Sequence, residues 1–163
     1  MKIRTAEHKD MPELLEIYNY EVLHGVSTFD LNVKTMEERL EWYHDHNIAN
    51  HPLIVAEVDD AVAGYASLSS YRDKEAYAAT VELSVYVHPD YRRRGIAREL
   101  MGRILEEARQ RDDIHTVISV ITEGNEGSVK LHEELGFRCC GVMNEVGEKF
   151  GKKLGIVNYQ LMV

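Results

Sequence analysis

The stretch TVELSVYVHPDYRRRGIARELMGRILEEARQR, residues 80–111, constrains this chain most. Val81, Leu83, Val85 and Val87 alternate with Thr80, Glu82, Ser84 and Tyr86, so the apolar four share one face of a strand. Beyond the turn HPDYRRRG, Ala97, Leu100, Met101, Ile104, Leu105 and Ala108 recur at helical spacing. A two-sided strand running straight into an amphipathic helix points to a layered α/β fold.

Three arginines, Arg92, Arg93 and Arg94, stand before Gly95 at that junction, in a chain of formal net charge -9. A helix start already presents unpaired N–H groups and partial positive charge. Cationic side chains there are unfavourable unless an anion compensates them, and Gly95 lets a ligand approach the backbone closely. A pyrophosphate satisfies all of these features; a solvated basic turn is the plainer alternative. No Gly-Lys-Ser/Thr follows, and the three spaced glycines of a dinucleotide fold are missing.

The remaining pattern supplies the rest of one domain, residues 1–163. MKIRTA reads as a strand, and Asp10, Pro12 and Glu13 open a helix carrying Leu14, Leu15, Tyr18 and Val22 that Gly25 stops. Thr35 and Glu38 form a capping box for a second helix with Leu40, Trp42 and Tyr43 on its apolar side. PLIVAEV and AVAGYASLSSY are strands joined at Asp59-Asp60, and HTVISVI is another. NEGSVKLHEEL is a helix ended by Gly136, and strands over 138–146 and 155–162 close the chain.

Composition excludes several classes. Hydrophobic residues make up 44% and charged residues 29%, the balance of a soluble globular protein. An acidic chain with pI near 5.4 lacks the broad cationic face that nucleic acid needs. No apolar run suits a bilayer and no signal-peptide pattern opens the chain, so a cytoplasmic location is expected and no membrane partner. Cys139 and Cys140 are adjacent, fit no metal motif and read as reduced strand residues. No metal site is expected; His44, His46 and His51 are read as surface or loop residues.

Arg92-Arg93-Arg94-Gly95-Ile96-Ala97 resembles the Arg/Gln-x-x-Gly-x-Gly/Ala signature of the GNAT acetyltransferase superfamily. It follows an alternating strand and opens an amphipathic helix, as in that family. Asn125, Ser128, Leu131 and Leu135-Gly136-Phe137 resemble the family's next helix. The resemblance implies the GNAT fold: a mixed, mostly antiparallel central sheet of about six to seven strands flanked by about four helices. It also implies acetyl-CoA as cosubstrate. Its pyrophosphate would lie on the amides around Arg92, Arg93, Arg94, Gly95, Ile96, Ala97 and Arg98, its pantetheine beside Val85, Tyr86 and Val87, with Asn125 and Ser128 adjoining.

YRDKEAYAATVELSVYVHPDYRRRGIA, SVKLHEELGF, VGEKFGKKLGIVNYQL and IYNYEVLHGVSTFD together resemble the phosphinothricin and methionine sulfoximine N-acetyltransferase group. That group acetylates the α-amine of small amino acids and is expected to be homodimeric. Three positions depart from it: Lys153 replaces its tryptophan, Gly155 its aspartate, and Leu83 its common Asn or His. The exchange at Lys153 would open the pocket or change its polarity.

An ammonium cannot attack a thioester until a base takes its proton. Glu82, projecting from a strand centre with a pKa that desolvation raises, is one candidate. His132, where many superfamily members carry a tyrosine held to protonate the leaving thiolate, is the other. The sequence leaves the choice of main base open. Arg72, standing where the group has arginine, is expected to hold the substrate carboxylate. Phe29 with Thr28 is expected to line the apolar part of the pocket, and Tyr77 and Thr80 to border the amine. The expectation is an acetyl-CoA-dependent N-acetyltransferase of a small amine, by direct transfer. Acetylation of protein N-termini or other amines, and a non-catalytic acetyl-CoA sensor module, are the alternatives.

Overall fold

In chain order the elements are β1 (Lys2–Thr5), α1 (Met11–His24), α2 (Met36–His44), β2 (Leu53–Val58), β3 (Ala61–Ser70), β4 (Thr80–Val87), α3 (Ile96–Arg109), β5 (Thr116–Thr122), α4 (Glu126–Glu134), β6 (Arg138–Lys149) and β7 (Lys152–Met162), in a computed structural model that describes residues 1–163. The strands form one sheet in the order β1-β2-β3-β4-β5-β7-β6. Every neighbouring pair is antiparallel except β4 and β5. Seven strands and four helices in one mixed α/β domain match the expectation.

The alternation of the strands sends two cores to opposite faces. Ala66 and Leu68 of β3 and Val81 and Leu83 of β4 pack with Leu100, Met101, Ile104 and Leu105 of α3. Tyr65 of β3 and Val55 of β2 pack instead with Met11, Leu14 and Ile17 of α1. Each fully buried Val, Leu, Ile or Met among them contributes about 1.5–3 kcal/mol. No helix is long and apolar enough to cross a membrane.

Local signals act as read at most ends. Thr35 Oγ1 accepts from Glu38 N at 3.2 Å while Thr35 N donates to Glu38 Oε2 at 2.8 Å. Asp59 and Asp60 both turn left-handed, at φ 51° and 64°, to close the β2–β3 hairpin. Gly25 stops α1 for a different reason from a left-handed cap: its φ is -119°, and a Cβ there would overlap the Glu21 carboxylate. The last two strands run further than read, to Lys149 and from Lys152, because Phe150 and Gly151 at φ 53° and 70° make a tight turn.

The segment between α1 and α2 is fastened from the far end of the chain. Lys149, 3% exposed, donates to Glu21 O at 3.3 Å and Thr28 O at 2.9 Å. Thr122 Oγ1 donates to Val26 O at 2.5 Å. Cys139 and Cys140 are free and exposed on β6.

His44 is exposed and His51 half-buried; His46 lies in the loop after α2, within the surface-or-loop reading, but it is buried. Its Nδ1 lies 2.7 Å from Trp42 O and its Nε2 2.8 Å from Ser69 Oγ. A carbonyl only accepts, so Nδ1 carries the proton and Nε2 accepts from Ser69. Burial lowers the pKa of His46. Below the unfolded histidine value of about 6.5, the unfolded chain binds a proton that the folded one refuses, so stability falls with pH there. The slope reaches about 1.4 kcal/mol per pH unit for one group. His46→Gln is expected to flatten the fall in urea-unfolding free energy between about pH 7.5 and 5.5.

Candidate active site

The ladder joining β4 to β5 holds only three registered pairs, Thr80–Thr116, Val81–Val117 and Glu82–Ile118. Past Glu82, β4 continues against β3 alone and β5 against β7 alone. Between the parted strands opens a cleft of about 680 Å³ walled by Leu83–Val87 on one side and Ser119–Thr122 on the other. The backbone of β4 facing it has no neighbouring strand. Such an edge takes up an extended, amide-bearing chain as a further strand does.

At the mouth of the cleft α3 begins. Its cap, Gly95, has φ 78° and supplies no side chain to the first N–H groups. A Cβ built on Gly95 meets nothing within 4 Å, so the space before the helix start is open. Arg93 precedes it, also left-handed at φ 62°. Free amides, a helix dipole and open space fit a pyrophosphate.

The arginines divide their work. Arg92 and Arg93 line the cleft. Arg92 also pairs with Glu21 of α1. Arg94 lies over the Tyr91 ring at 5.1 Å, and Arg98 pairs with Glu134. Ile96 is buried in the α3-side core while Ala97 reaches the cleft. Of these side chains only Arg92 and Arg93 bring a positive charge to the cleft itself, beside the open start of α3.

Glu82 is half-buried at the point where the strands part, and it lines the cleft. Burial alone raises its pKa; no hydrogen bond or neighbouring charge opposes the shift. A carboxylate so placed is a stronger base than one in water.

His132 of α4 is 5% exposed and also borders the cleft. Its Nδ1 is 2.7 Å from Ser128 O and its Nε2 2.7 Å from Ser119 Oγ. The carbonyl again fixes the proton on Nδ1, so Nε2 accepts from Ser119. Burial lowers its pKa, which keeps the ring neutral at neutral pH. A neutral ring with both nitrogens engaged has no proton to offer the cleft directly. Ser119 was not singled out by sequence; its only signal there is a hydroxyl between two apolar strand positions.

Asn125 caps α4 through Oδ1, accepting from Ser128 N at 3.2 Å, and both residues border the cleft. Phe29 reaches it from the α1–α2 segment, its ring occupying the space that Gly147 leaves by having no side chain. Arg72, Tyr77 and Thr80 stand outside the cleft walls. Arg72 is exposed, over the rings of Tyr71 and Tyr77 at 5.0 and 5.7 Å, and Thr80 lies opposite Thr116 before the strands part. Lys153 is exposed near Glu148 and does not line the cleft. At Gly155 a Cβ would overlap the Glu123 carboxylate, which fills the space a larger residue would take. Leu83, 5% exposed, packs into the α3-side core.

A bare strand edge leading to an open helix start, with an unpaired carboxyl at the fork, is the arrangement of an acyltransferase that draws on a diphosphate-bearing thioester. The profile of the Acetyltransferase (GNAT) family matches residues 13–137, and the chain belongs to that family. It is 37% identical over 163 residues to the L-methionine sulfoximine/L-methionine sulfone acetyltransferase of Salmonella typhimurium, covering 100% of this chain and 95% of that one. Its fold is similar to that of the Ribosomal-protein-alanine N-acetyltransferase from Brucella melitensis, with TM-score 0.96, 37% identity and full coverage of both chains. It is also similar to the phosphinothricin acetyltransferase from Sinorhizobium meliloti in complex with AcCoA, with TM-score 0.95, 30% identity and coverage of 99% and 88%.

Gly95→Ala puts a side chain at positive φ and into the open space before α3. It is expected to cost about 1–2 kcal/mol in urea unfolding and to weaken coenzyme A binding measured by calorimetry.

Proposed function

We propose that this chain transfers the acetyl group of acetyl-CoA to the α-amine of a small amino acid or analogue, with Glu82 as the main general base. The observation that carries the reading is the partnerless, desolvated Glu82 carboxyl at the fork of β4 and β5, inside a cleft that ends on the open start of α3. The relatives' names supply the substrate class, an amino acid resembling methionine sulfoximine or phosphinothricin.

Acetyl-CoA supplies an activated acyl group as a thioester. In this reading the edge of Val85, Tyr86 and Val87 holds the pantetheine arm, and the amides from Arg93 to Arg98 hold the pyrophosphate, with Arg92 and Arg93 beside it. Glu82 takes the proton from the substrate ammonium, directly or through water, and so exposes the amine lone pair. The amine then attacks the thioester carbonyl, the C–S bond breaks, and the departing coenzyme A thiolate takes up the second proton that the nitrogen sheds, relayed through the Ser119 hydroxyl and His132 Nε2. Asn125 and Ser128 hold the start of α4 against the bound arm. Phe29 covers the apolar part of the cleft, while Arg72, Tyr77 and Thr80, which stand outside its walls, are given no contact with the substrate in this reading. No cysteine lines the cleft, in keeping with direct transfer.

The protein acts as a homodimer in the cytoplasm in this proposal. Val142, Met143 and Val146 are about half exposed on the edge strand β6, a surface suited to a second copy. Acetylation of a protein N-terminus is the second reading, favoured by the name of the Brucella relative.

A thiol-release screen with acetyl-CoA separates these readings, using methionine sulfoximine, methionine sulfone, phosphinothricin and a peptide panel. Free amino acids are expected to turn over and peptides not; binding of acyl-CoA with no turnover of any amine would instead support a sensor module. Glu82→Gln is expected to lower kcat by about 10²–10⁴-fold while leaving coenzyme A affinity unchanged. Because burial raises the Glu82 pKa, the acid limb of kcat should lie above the ordinary carboxylate range; an equal loss of kcat and coenzyme A affinity would oppose the assignment.

A further inference from the structure

On the face of β4 that carries Glu82 lies a second cavity, of about 340 Å³, between the sheet and α2. Arg39 is built into its wall and is only 4% exposed. The guanidinium stacks on the Trp42 ring at 3.6 Å, with the rings of Tyr18 and Tyr65 at 5.0 and 5.1 Å. Its one hydrogen bond runs from Nη2 to Tyr65 Oη at 2.7 Å, and Nε is buried with no acceptor. The two acids of the wall are engaged elsewhere: Asp30 with Tyr18 Oη and Lys34, Glu38 with Thr35 N. Aromatic faces stabilise the positive charge, but they leave most of the five N–H donors unused. A buried arginine in that state is complementary to an oxygen acceptor.

The cavity leads back to the reacting end. Cross-strand pairs Tyr65–Tyr86, Ser67–Ser84 and Ser69–Glu82 set these side chains in a row on one face. Arg39 meets the row at Tyr65, and Glu82 lies four residues along, about 13 Å of strand away. Ser84 lines both this cavity and the cleft. We propose that the cavity receives the side chain of the amine acceptor, and that Arg39 donates to an oxygen at its far end: a sulfonyl, phosphinyl or carboxylate oxygen. The inference rests on the reading that Glu82 meets the amine. It selects an extended side chain with a terminal oxygen over an apolar chain of equal length.

Trp42 is the only tryptophan in the chain and stacks on Arg39, so its emission reports this cavity. The coenzyme A-loaded protein is titrated with methionine sulfone and, separately, with norleucine. The sulfone is expected to change Trp42 emission saturably and to bind at least about tenfold more tightly than norleucine, because an unmet donor penalises the ligand lacking the oxygen. Arg39→Met should abolish that difference, weakening the sulfone and sparing norleucine, with coenzyme A calorimetry showing an intact fold. Equal responses to both ligands, no response to either, or equal weakening of both by Arg39→Met would overturn the inference. Should Arg39→Met not fold, the comparison of the two ligands on the unmodified protein decides. Sulfone bound through Arg39 yet never acetylated would sink the proposed activity and leave this assignment standing. Acetylation indifferent to Arg39 and to the terminal oxygen would do the reverse.

Discussion

The early end of the pairing between β4 and β5 governs the molecule. Had the ladder continued past Glu82, the edges of Leu83–Val87 and Ser119–Thr122 would satisfy each other and no cleft would exist. Because it stops, the backbone beyond the fork needs another partner; leaving a buried donor or acceptor unmet costs about 1–3 kcal/mol. The parting also brings the starts of α3 and α4 to one opening, since each helix follows one of the two strands. One break in a sheet thus creates the bare edge, the open helix start and the isolated carboxyl together.

The charge around that opening is organised by pairing rather than by number. Of the arginines around the opening, Arg92 in the turn holds Glu21, Arg98 in α3 holds Glu134, and Arg94 leans on Tyr91. Arg92 therefore links the turn before α3 to α1, at the end that Lys149 grips from β6. Buried polar groups serve the same end on the other face, where His46 joins α2 to β3 through Trp42 O and Ser69.

The parts of this arrangement written in short-range pattern were legible. Strict alternation over Thr80–Val87 and helical spacing from Ala97 fix two faces, and the Thr35–Glu38 box marks a helix start, because each depends on neighbours within a few residues. Arg39 shows where such reading stops. The apolar spacing of α2 names Leu40, Trp42 and Tyr43, yet those are half-buried and Arg39 is the buried residue of that helix. Its environment comes from Tyr18, Tyr65 and the sheet, all distant in sequence. Ser119 and His46 escaped for the same reason: a hydroxyl or an imidazole is classed as surface by type and as interior only by its partners. The residue at which β4 leaves β5 is equally non-local, since it depends on which strand borders β5 on its other side.

That bordering strand is β7, which lies between β5 and β6 although it follows both in the chain. During synthesis β5 therefore waits with one long side unzipped until the segment through Met162 has left the ribosome. Long-range insertion of this kind slows folding and exposes sticky edges meanwhile. The nascent chain carries its helices well before it has a finished working surface, and it is in that interval that a chaperone has most to shield.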